Sequence, residues 1–235
     1  MDDRKSRAGR RNAFGLVAGA LFLIGPVLAW LGLVPALVAF VLFALGGLVG
    51  LVVGVVSVIQ AARGRGLGRG GALATGVAVV FLALAARGVG MPRINDFTTD
   101  PSDPPALTHA ATLAPNAARD MSYPKGFAAI QRECCADLRP ARVRAGTAEA
   151  FARAEAVVRQ MDLAVTWSDP SAGLLEAMAT SRLFGFHDDI AIRVRPEADG
   201  TSRIDMRSKS RDGQGDLGVN AARIRTFVRA VEAGA

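Results

Sequence analysis

Residues 13–86 decide the fold and read AFGLVAGALFLIGPVLAWLGLVPALVAFVLFALGGLVGLVVGVVSVIQAARGRGLGRGGALATGVAVVFLALAA. The only charged residues in this stretch, Arg63, Arg65 and Arg69, lie together in one break. A backbone in lipid must satisfy its own hydrogen bonds, and a helix needs about 20 apolar residues to cross the bilayer. We therefore predict a transmembrane region over residues 13–90, with helices at 13–31, 36–62 and 71–90. The third helix is long enough to span the membrane only if the Arg87 side chain extends to the lipid headgroups. The alternative is that this helix lies in the membrane–water interface without crossing the bilayer.

The charges that flank these helices predict their orientation. Basic residues precede the first helix and separate the second from the third, whereas the turn between the first two helices has no charge. The two basic groups are Arg4, Lys5, Arg7, Arg10 and Arg11, and Arg63, Arg65 and Arg69. Because cytoplasmic loops are enriched in Lys and Arg, we expect residues 1–12 inside the cell and everything after residue 90 outside it. The sequence thus predicts a multi-pass protein of the cytoplasmic (inner) membrane with an extracytoplasmic C-terminal domain.

Small residues recur every four positions within two of the predicted helices. They are Gly15 and Gly19 in the first helix and Gly46, Gly50 and Gly54 in the second. This spacing lets helix backbones approach closely, so these glycines are candidates for helix packing. The glycines favour packing of the first and second helices on each other, or formation of a homo-oligomer through the second helix. The predicted spans contain no ionisable residue apart from Arg87 near the end of the third, which is typical of an anchor more than of a transport pathway.

The net charge of +7 does not indicate a nucleic-acid partner. Up to Gly71 the chain has 8 basic and 2 acidic residues, whereas from Ala72 onward it has 20 basic and 19 acidic residues. The excess therefore belongs to the predicted cytoplasmic loops. The partner that it indicates is the lipid bilayer.

The polar part of the chain predicts an α+β domain. Prolines make residues 91–123 an extended lead-in, and residues 124–235 are long enough to form a domain with its own core. A helix is expected from Thr147 to Met161, and another after Asn220. Alternating apolar residues between them predict a four-stranded antiparallel sheet with both helices on one face. The strands are expected near residues 163–167, 174–184, 190–194 and 204–210, with a tight turn at His187-Asp188-Asp189.

The two cysteines, Cys134 and Cys135, are adjacent in sequence. Their Cα atoms are about 3.8 Å apart across a trans peptide, below the usual range for disulfides. We therefore expect unpaired thiols and no disulfide framework.

Four strings resemble the domain of unknown function 1499 family, a group of mostly bacterial envelope proteins that often carry membrane helices before the domain. They are INDFTTD at residues 94–100 with Pro104-Pro105, GFHDDI at 185–190, RSKSR at 207–211 and DLGVNAARI at 216–224. The resemblance covers residues 92–232. One departure is Cys135-Ala136 before Asp137, where members usually carry Tyr-Pro. The family implies no established activity.

The end of the fourth predicted strand offers a candidate anion site. If Ile204 and Met206 face the core, Ser208 and Ser210 point the same way, close to the start of the last helix. Helix N-termini favour anions, and arginines are near in sequence. The residues of this site are Ser208, Ser210, Arg211, Asn220 and Arg223. The ligand would be an anionic lipid, a carboxylate or an envelope protein; the alternative is that the serines and Asn220 only bind the backbone.

Arginines also collect on the opposite face of the predicted sheet. This face carries Arg193, Arg195, Arg203, Arg207 and Lys209, with Asp205 among them. We expect a solvated face with cross-strand pairs, or contact with anionic headgroups.

Three functions fit these patterns. The first is a non-enzymatic, membrane-anchored module that binds a ligand or partner at the cell envelope. The second is an envelope hydrolase in which Ser208 or Ser210 acts with His187. The third is a helical subunit of a larger membrane complex. We favour the first and predict no catalytic residue, metal site or cofactor, because the sequence contains no metal-ligand or nucleophile-elbow motif.

Overall fold

The computed structural model describes residues 2–234, and side chains from residue 9 onward, so Arg4, Lys5 and Arg7 lie outside the described side chains. The chain divides into two compact units. The first contains α1 (Asp2–Trp30), α2 (Ala36–Ala62) and α3 (Arg69–Ala86), together with residues 181–185. The segments Gly9–Trp30, Ala36–Ala62 and Arg69–Ala86 are long and apolar enough to cross a membrane. The prediction of three apolar N-terminal helices is confirmed.

Each predicted glycine packs against a neighbouring helix. A Cβ atom added at Gly46 would lie 2.4 Å from the backbone nitrogen of Phe22 in α1. Gly50 and Gly54 face Val77 and Thr75 of α3. Gly15 and Gly19 also face α3, at Gly70 and Leu73. The small residues of α1 and α2 therefore serve contacts within this chain, and association with a second copy stays a prediction.

The second unit comprises residues 90–180 and 186–235 and is built on one antiparallel sheet. Its strands are β1 (Asp96–Thr98), β2 (Ala141–Val143), β3 (Ala164–Asp169), β4 (Leu174–Thr180), β5 (His187–Pro196) and β6 (Ser202–Ser210). Its helices are α4 (Thr108–Thr112), α5 (Phe127–Cys134), α6 (Thr147–Gln160) and α7 (Val219–Ala233), with a 3-10 turn at Ala114–Asn116. The unit is therefore α+β.

The sheet has six strands, so the prediction of four is wrong. The order is β1-β6-β5-β4-β3, and β2 also pairs with β6. The predicted strands are β3 to β6. The two additional strands have only three residues each, too few to show an alternating pattern in the sequence. They pair with opposite halves of β6, which therefore lies inside the sheet instead of at its edge.

One face of the sheet forms the apolar core under α6 and α7. The apolar stripe of α6 contributes Phe151 and Val158, and that of α7 contributes Ile224 and Phe227, all of them buried. From the sheet, Leu175, Ile190, Ile192, Ile204 and Met206 complete this core. The amphipathic spacing predicted for both helices thus places them over the sheet.

The other face is covered by the segment between β1 and α5, which the sequence predicted as an extended lead-in. Arg207 is only 2% exposed and Lys209 only 7%, so the prediction of a solvated outer face is wrong for these residues. The covering segment is held by ion pairs. Its Asp100 accepts from Arg203 at 2.6 Å, and its Asp103 accepts from Arg193 and Arg195.

Glu176 attaches the same segment near the edge of the sheet. Its carboxylate is buried and accepts hydrogen bonds from Thr108 Oγ1 and the backbone N–H groups of His109 and Ala110. These are the free N–H groups of the first turn of α4, which attract negative charge. A carboxylate from β4 thus binds the first turn of α4, shortly after Pro104 and Pro105.

Cys134 and Cys135 are joined in a vicinal disulfide, with Cα atoms 3.8 Å apart. The prediction of unpaired thiols is therefore wrong. The usual Cα distance describes bridges between separate segments, whereas here the bond closes a small ring around a single peptide unit. It links no two distant parts of the chain.

Candidate functional site

The candidate site lies where β6 meets the start of α7. Ser208 and Ser210 are on the core face of β6, as the strand alternation predicts. Ser208 Oγ donates to Asn220 Oδ1, and Asn220 Nδ2 donates to Ser210 Oγ at 2.8 Å. Ser208 and Asn220 are completely buried. One amide side chain in α7 thus satisfies two strand hydroxyls, as buried polar groups require.

Arg223 joins this network from the next turn of α7. Its Nη1 donates to Ser208 Oγ at 2.8 Å and to Asn220 Oδ1 at 2.6 Å, and its Nη2 donates to Asp188 Oδ2 at 2.7 Å. The side chains of Arg223 and Asp188 are 11% and 9% exposed. Asp188 therefore supplies the negative charge next to Arg223 that we predicted would come from a bound anion.

Arg211 belongs to the opposite face of the sheet. Its guanidinium donates to both carboxylate oxygens of Asp189, at 3.0 and 2.6 Å. Asp189 also accepts from Asn116 in the covering segment. The five predicted site residues are thus close along the chain, but Arg211 is separated from the other four by the sheet.

Asp188 and Asp189 were not predicted as partners of the two arginines, because the sequence pattern indicated a turn at these residues. In the structure His187, Asp188 and Asp189 begin β5, so the predicted turn at these residues is wrong. The chain reverses earlier: the backbone N–H of Gly185 donates to the Ser181 carbonyl, and Gly185 has a positive φ of 73°. Alternation along β5 then sends Asp188 and Asp189 to opposite faces, one to each arginine.

Asp216 organises the loop that enters α7. Its carboxylate accepts from the backbone N–H groups of Gly218 and Asn220, at 2.9 and 2.7 Å. Gly218 has a φ of 82°, a left-handed conformation that glycine adopts without strain. Burial raises the pKa of Asp216, the two backbone hydrogen bonds and Asn220 lower it, and nearby Asp188 raises it further, so that it lies above its ordinary value.

A second buried ionic cluster lies on the covered face of β6. Arg207 donates from Nε and Nη2 to the two oxygens of Asp96, at 2.9 and 2.7 Å, and Lys209 Nζ lies 3.1 Å from the same carboxylate. The Arg207 guanidinium also lies over the ring of Tyr123. Burial and the Asp96 charge raise the pKa of Tyr123 to about 12. This cluster joins β1 and the covering segment to β6.

The hydroxyls and the histidine of the hydrolase hypothesis have other partners. His187 Nδ1 is 3.0 Å from Thr180 Oγ1, its neighbour across the β4–β5 pair. Ser208 and Ser210 are engaged by Asn220. Within the described residues, no group of three or more His, Cys, Asp or Glu side chains is placed to hold a metal ion.

Together these features define a class: proteins with three apolar helices of membrane-spanning length followed by an α+β domain with buried ionic networks. Residues 96–231 match the family model DUF1499, described as a protein of unknown function, and the chain belongs to this family. The resemblance predicted from the four strings is confirmed. The match begins at the first residue of β1, so it includes the covering segment. No curated protein matches the chain.

Proposed function

We propose that the protein is a multi-pass protein of the cytoplasmic membrane that carries a non-enzymatic binding domain outside the cytoplasm. The observation that carries the orientation is the distribution of charge around the helices. Basic side chains precede the apolar part of α1 and fill the α2–α3 connection, whereas the α1–α2 turn has none. Positive charge of this kind favours the cytoplasmic side.

A binding role fits the domain better than hydrolysis does. A serine nucleophile needs a base within hydrogen-bond reach. Ser208 instead donates to Asn220 and accepts from Arg223, while His187 is directed to Thr180. Both sets of partners are held by secondary structure, so forming a serine–histidine pair would require breaking them. Recognition of a ligand or envelope partner does not require a serine–histidine pair.

The role of Arg223 and its neighbours in this proposal is specific. Asp188 already provides the carboxylate that Arg223 binds, so an external anion would bind there only in exchange for Asp188. Anionic lipid or an acidic partner segment is the ligand that such an exchange would select. The competing role is structural, and Arg223→Leu separates the two roles by its effect on folding stability.

Reporter fusions test the orientation. A reporter enzyme active only outside the cytoplasm should work when fused after residue 235 and fail when fused after residue 66, in the α2–α3 connection. A reporter active only in the cytoplasm should show the opposite pattern at the same two sites. The reverse result for both reporters would place the domain inside the cell and overturn the proposal.

A further inference from the structure

The loop between β6 and α7 carries an exposed apolar patch. Leu217 is 56% exposed, and Val219, the first residue of α7, is 49% exposed. Among the described residues of the second unit, Ile130 is the other large apolar side chain that is exposed. A single exposed apolar residue is common on protein surfaces, whereas two within three residues of one loop form a small patch.

The backbone of Leu217 has a conformation that leucine rarely adopts. Its φ is 54°, in the left-handed region where Gly, Asn and Asp are usual and a bulky side chain is an outlier. Asp216 holds this conformation through its hydrogen bonds from the backbone N–H groups of Gly218 and Asn220. A glycine or an asparagine at position 217 would fit the backbone better and would expose less apolar surface to water. The leucine side chain therefore indicates an apolar environment outside the domain.

The loop lies along the segment that follows the third apolar helix. Asn95 Nδ2 donates to the Gly213 carbonyl at 2.7 Å, and a Cβ atom added at Gly218 would collide with the Met91 side chain. Moving from residue 95 back to residue 91, the contacts in the loop therefore advance from residue 213 to residue 218. Residues 217–219 thus lie beside the part of this segment that is closest along the chain to α3.

The distance along the chain from α3 to this patch is short. The backbone N–H groups of Arg87, Gly88 and Val89 each donate to the carbonyl three residues earlier, so the helical turn continues to Val89. Met91 is two residues further, which is at most about 7 Å along an extended chain. The headgroup layer on each side of the hydrocarbon core is roughly 5–8 Å thick. With α3 across the bilayer, residue 91 and the loop beside it therefore lie at headgroup level.

We propose that this loop docks on the lipid bilayer, with Leu217 and Val219 inserted at the boundary between headgroups and acyl chains. Insertion removes their apolar surface from water, which offsets the unfavourable φ of Leu217. Arg93 is exposed and donates to Gln214 at 3.2 Å, so its guanidinium is placed to reach headgroup phosphates. Asp212 in the same loop is also exposed and opposes that positive charge, so zwitterionic phospholipid is sufficient. The inference rests on the membrane anchoring in the proposed function and is independent of orientation.

Quenching of tryptophan fluorescence by brominated lipid tests the proposal in the full-length protein. The chain has two tryptophans, so Trp30→Phe and Trp167→Phe leave Leu217→Trp as the sole reporter. This protein is reconstituted in phosphatidylcholine vesicles whose acyl chains carry bromine near the headgroup in both leaflets. Its emission should be at least about twofold lower than in the same lipid without bromine, since a side chain at this depth touches the acyl chains. Equal emission in the two lipids would overturn the proposal.

A matched reporter at the other end of β6 is the control. Ala198→Trp, with the same two Phe substitutions, lies in the exposed turn between β5 and β6. The length of β6 separates that turn from the Ser210 end of the strand by about 27 Å. Tryptophan itself favours the membrane interface, and both reporters share this preference. Bromine should leave the emission of Ala198→Trp unchanged. Equal quenching of both reporters would show non-specific contact with the bilayer and reject the assignment to this loop.

Val219→Trp keeps the test decisive if Leu217→Trp does not fold. In the same Phe background it should be quenched at least about twofold as well, because its side chain belongs to the same patch. Quenching of neither reporter would refute the docking of this loop. A thermal midpoint measured in detergent identifies which variants are folded.

Trp30 distinguishes failure of this inference from failure of membrane anchoring. It is the last residue of α1 and is 81% exposed, so in the Trp167→Phe protein it reports whether the apolar helices are in lipid. Quenching of Trp30 without quenching at positions 217 and 219 would reject the loop contact alone. An unquenched Trp30 would reject the anchoring and the loop contact together. The reporter fusions measure orientation separately.

Discussion

Substitution of Arg223 can separate a structural role of this residue from a role in binding an anion. We expect Arg223→Leu to lower the free energy of unfolding of the domain by about 3–5 kcal/mol, because it leaves Asp188 buried without its partner. Denaturant unfolding followed by Trp167 fluorescence measures this. Arg225→Leu is the control on the same helix: its pair with Asp137 is largely exposed, and its loss should cost less than about 1 kcal/mol.

The stability of Arg223→Leu decides between a structural role and a ligand-binding role of Arg223. An unchanged unfolding midpoint for Arg223→Leu, with loss of stabilisation by anionic lipid, would contradict the structural role. Arg223→Lys should recover only part of the lost stability, because an ammonium lacks the planar fork that serves Ser208, Asn220 and Asp188 together.

Asp216 gives a pH-dependent prediction. Its pKa is raised in the folded state, so the folded protein binds more protons at this site above pH 3.8 than the unfolded chain does. The stability that this group contributes is therefore complete below about pH 3.8 and is lost as the pH rises through the folded-state pKa. Asp216→Asn removes this titration.

The measurement is the free energy of unfolding of both proteins from about pH 3.5 to 7. Relative to Asp216→Asn, the wild type should lose stability as the pH rises from about 3.8 to the folded-state pKa of Asp216, and above that pKa the two curves should run parallel. Asp188 is the neighbouring charge that adds to the shift, so it is kept in both proteins. Parallel curves over the whole range would contradict a raised pKa.

At the scale of elements, two glycine substitutions should have opposite effects on the helical unit. Gly46→Ala places a Cβ 2.4 Å from the Phe22 backbone nitrogen and should lower the thermal midpoint in detergent. Gly76→Ala meets nothing within 4 Å in this structure and should raise the midpoint slightly, since Ala favours helix by up to about 1 kcal/mol over Gly. A fall of the same size in both variants would mean that helix contact is not the cause.

The periodicity of apolar residues predicted some helices and strands and gave no signal for others. The apolar spacing of Phe151, Val158, Ile224 and Phe227 identified α6 and α7, and alternation identified β3 to β6. β1 and β2 form through pairing with β6, and their own three residues carry no periodic signal. The covering segment is held by single ion pairs between residues about 100 positions apart, such as Asp100 with Arg203.

The candidate site was predictable only in part for the same reason. Strand alternation correctly put Ser208 and Ser210 beside Asn220. The partners of the arginines depended on where β5 begins, and a dipeptide such as Asp188-Asp189 is equally typical of a turn and of a strand end facing two cationic groups. The hollow between Trp167 and the covering segment, lined by Pro105 and Thr108 of that segment, was not predictable, because no local pattern places the segment over the sheet.

The second unit has its own core, and the N-terminal segment of that unit is part of the core. We expect residues 90–235, expressed without the preceding helices, to fold cooperatively. Residues 106–235 should not, because they lack Asp96, the buried carboxylate shared by Arg207 and Lys209. Circular dichroism and denaturant unfolding of the two fragments measure this, and cooperative unfolding of the shorter fragment would contradict it.

The pairing of β1 with β6 also has a mechanical consequence. Because β1 follows Gly90 so closely, a pulling force applied to the chain there first meets the hydrogen bonds of Arg93 and Asn95 to residues 213 and 214, and then the three β1–β6 residue pairs and the Asp96 ion pairs. Once these yield, the ion pairs of Asp100 and Asp103 would break next, which would release residues 99–140, a segment with a fully extended length of roughly 140 Å. The pairing of β3 to β6 with one another, and the packing of the two helices over them, should stay intact until that reserve is used. Residues 99–140 would thus act as an extensible linker that is folded against the sheet when no force is applied.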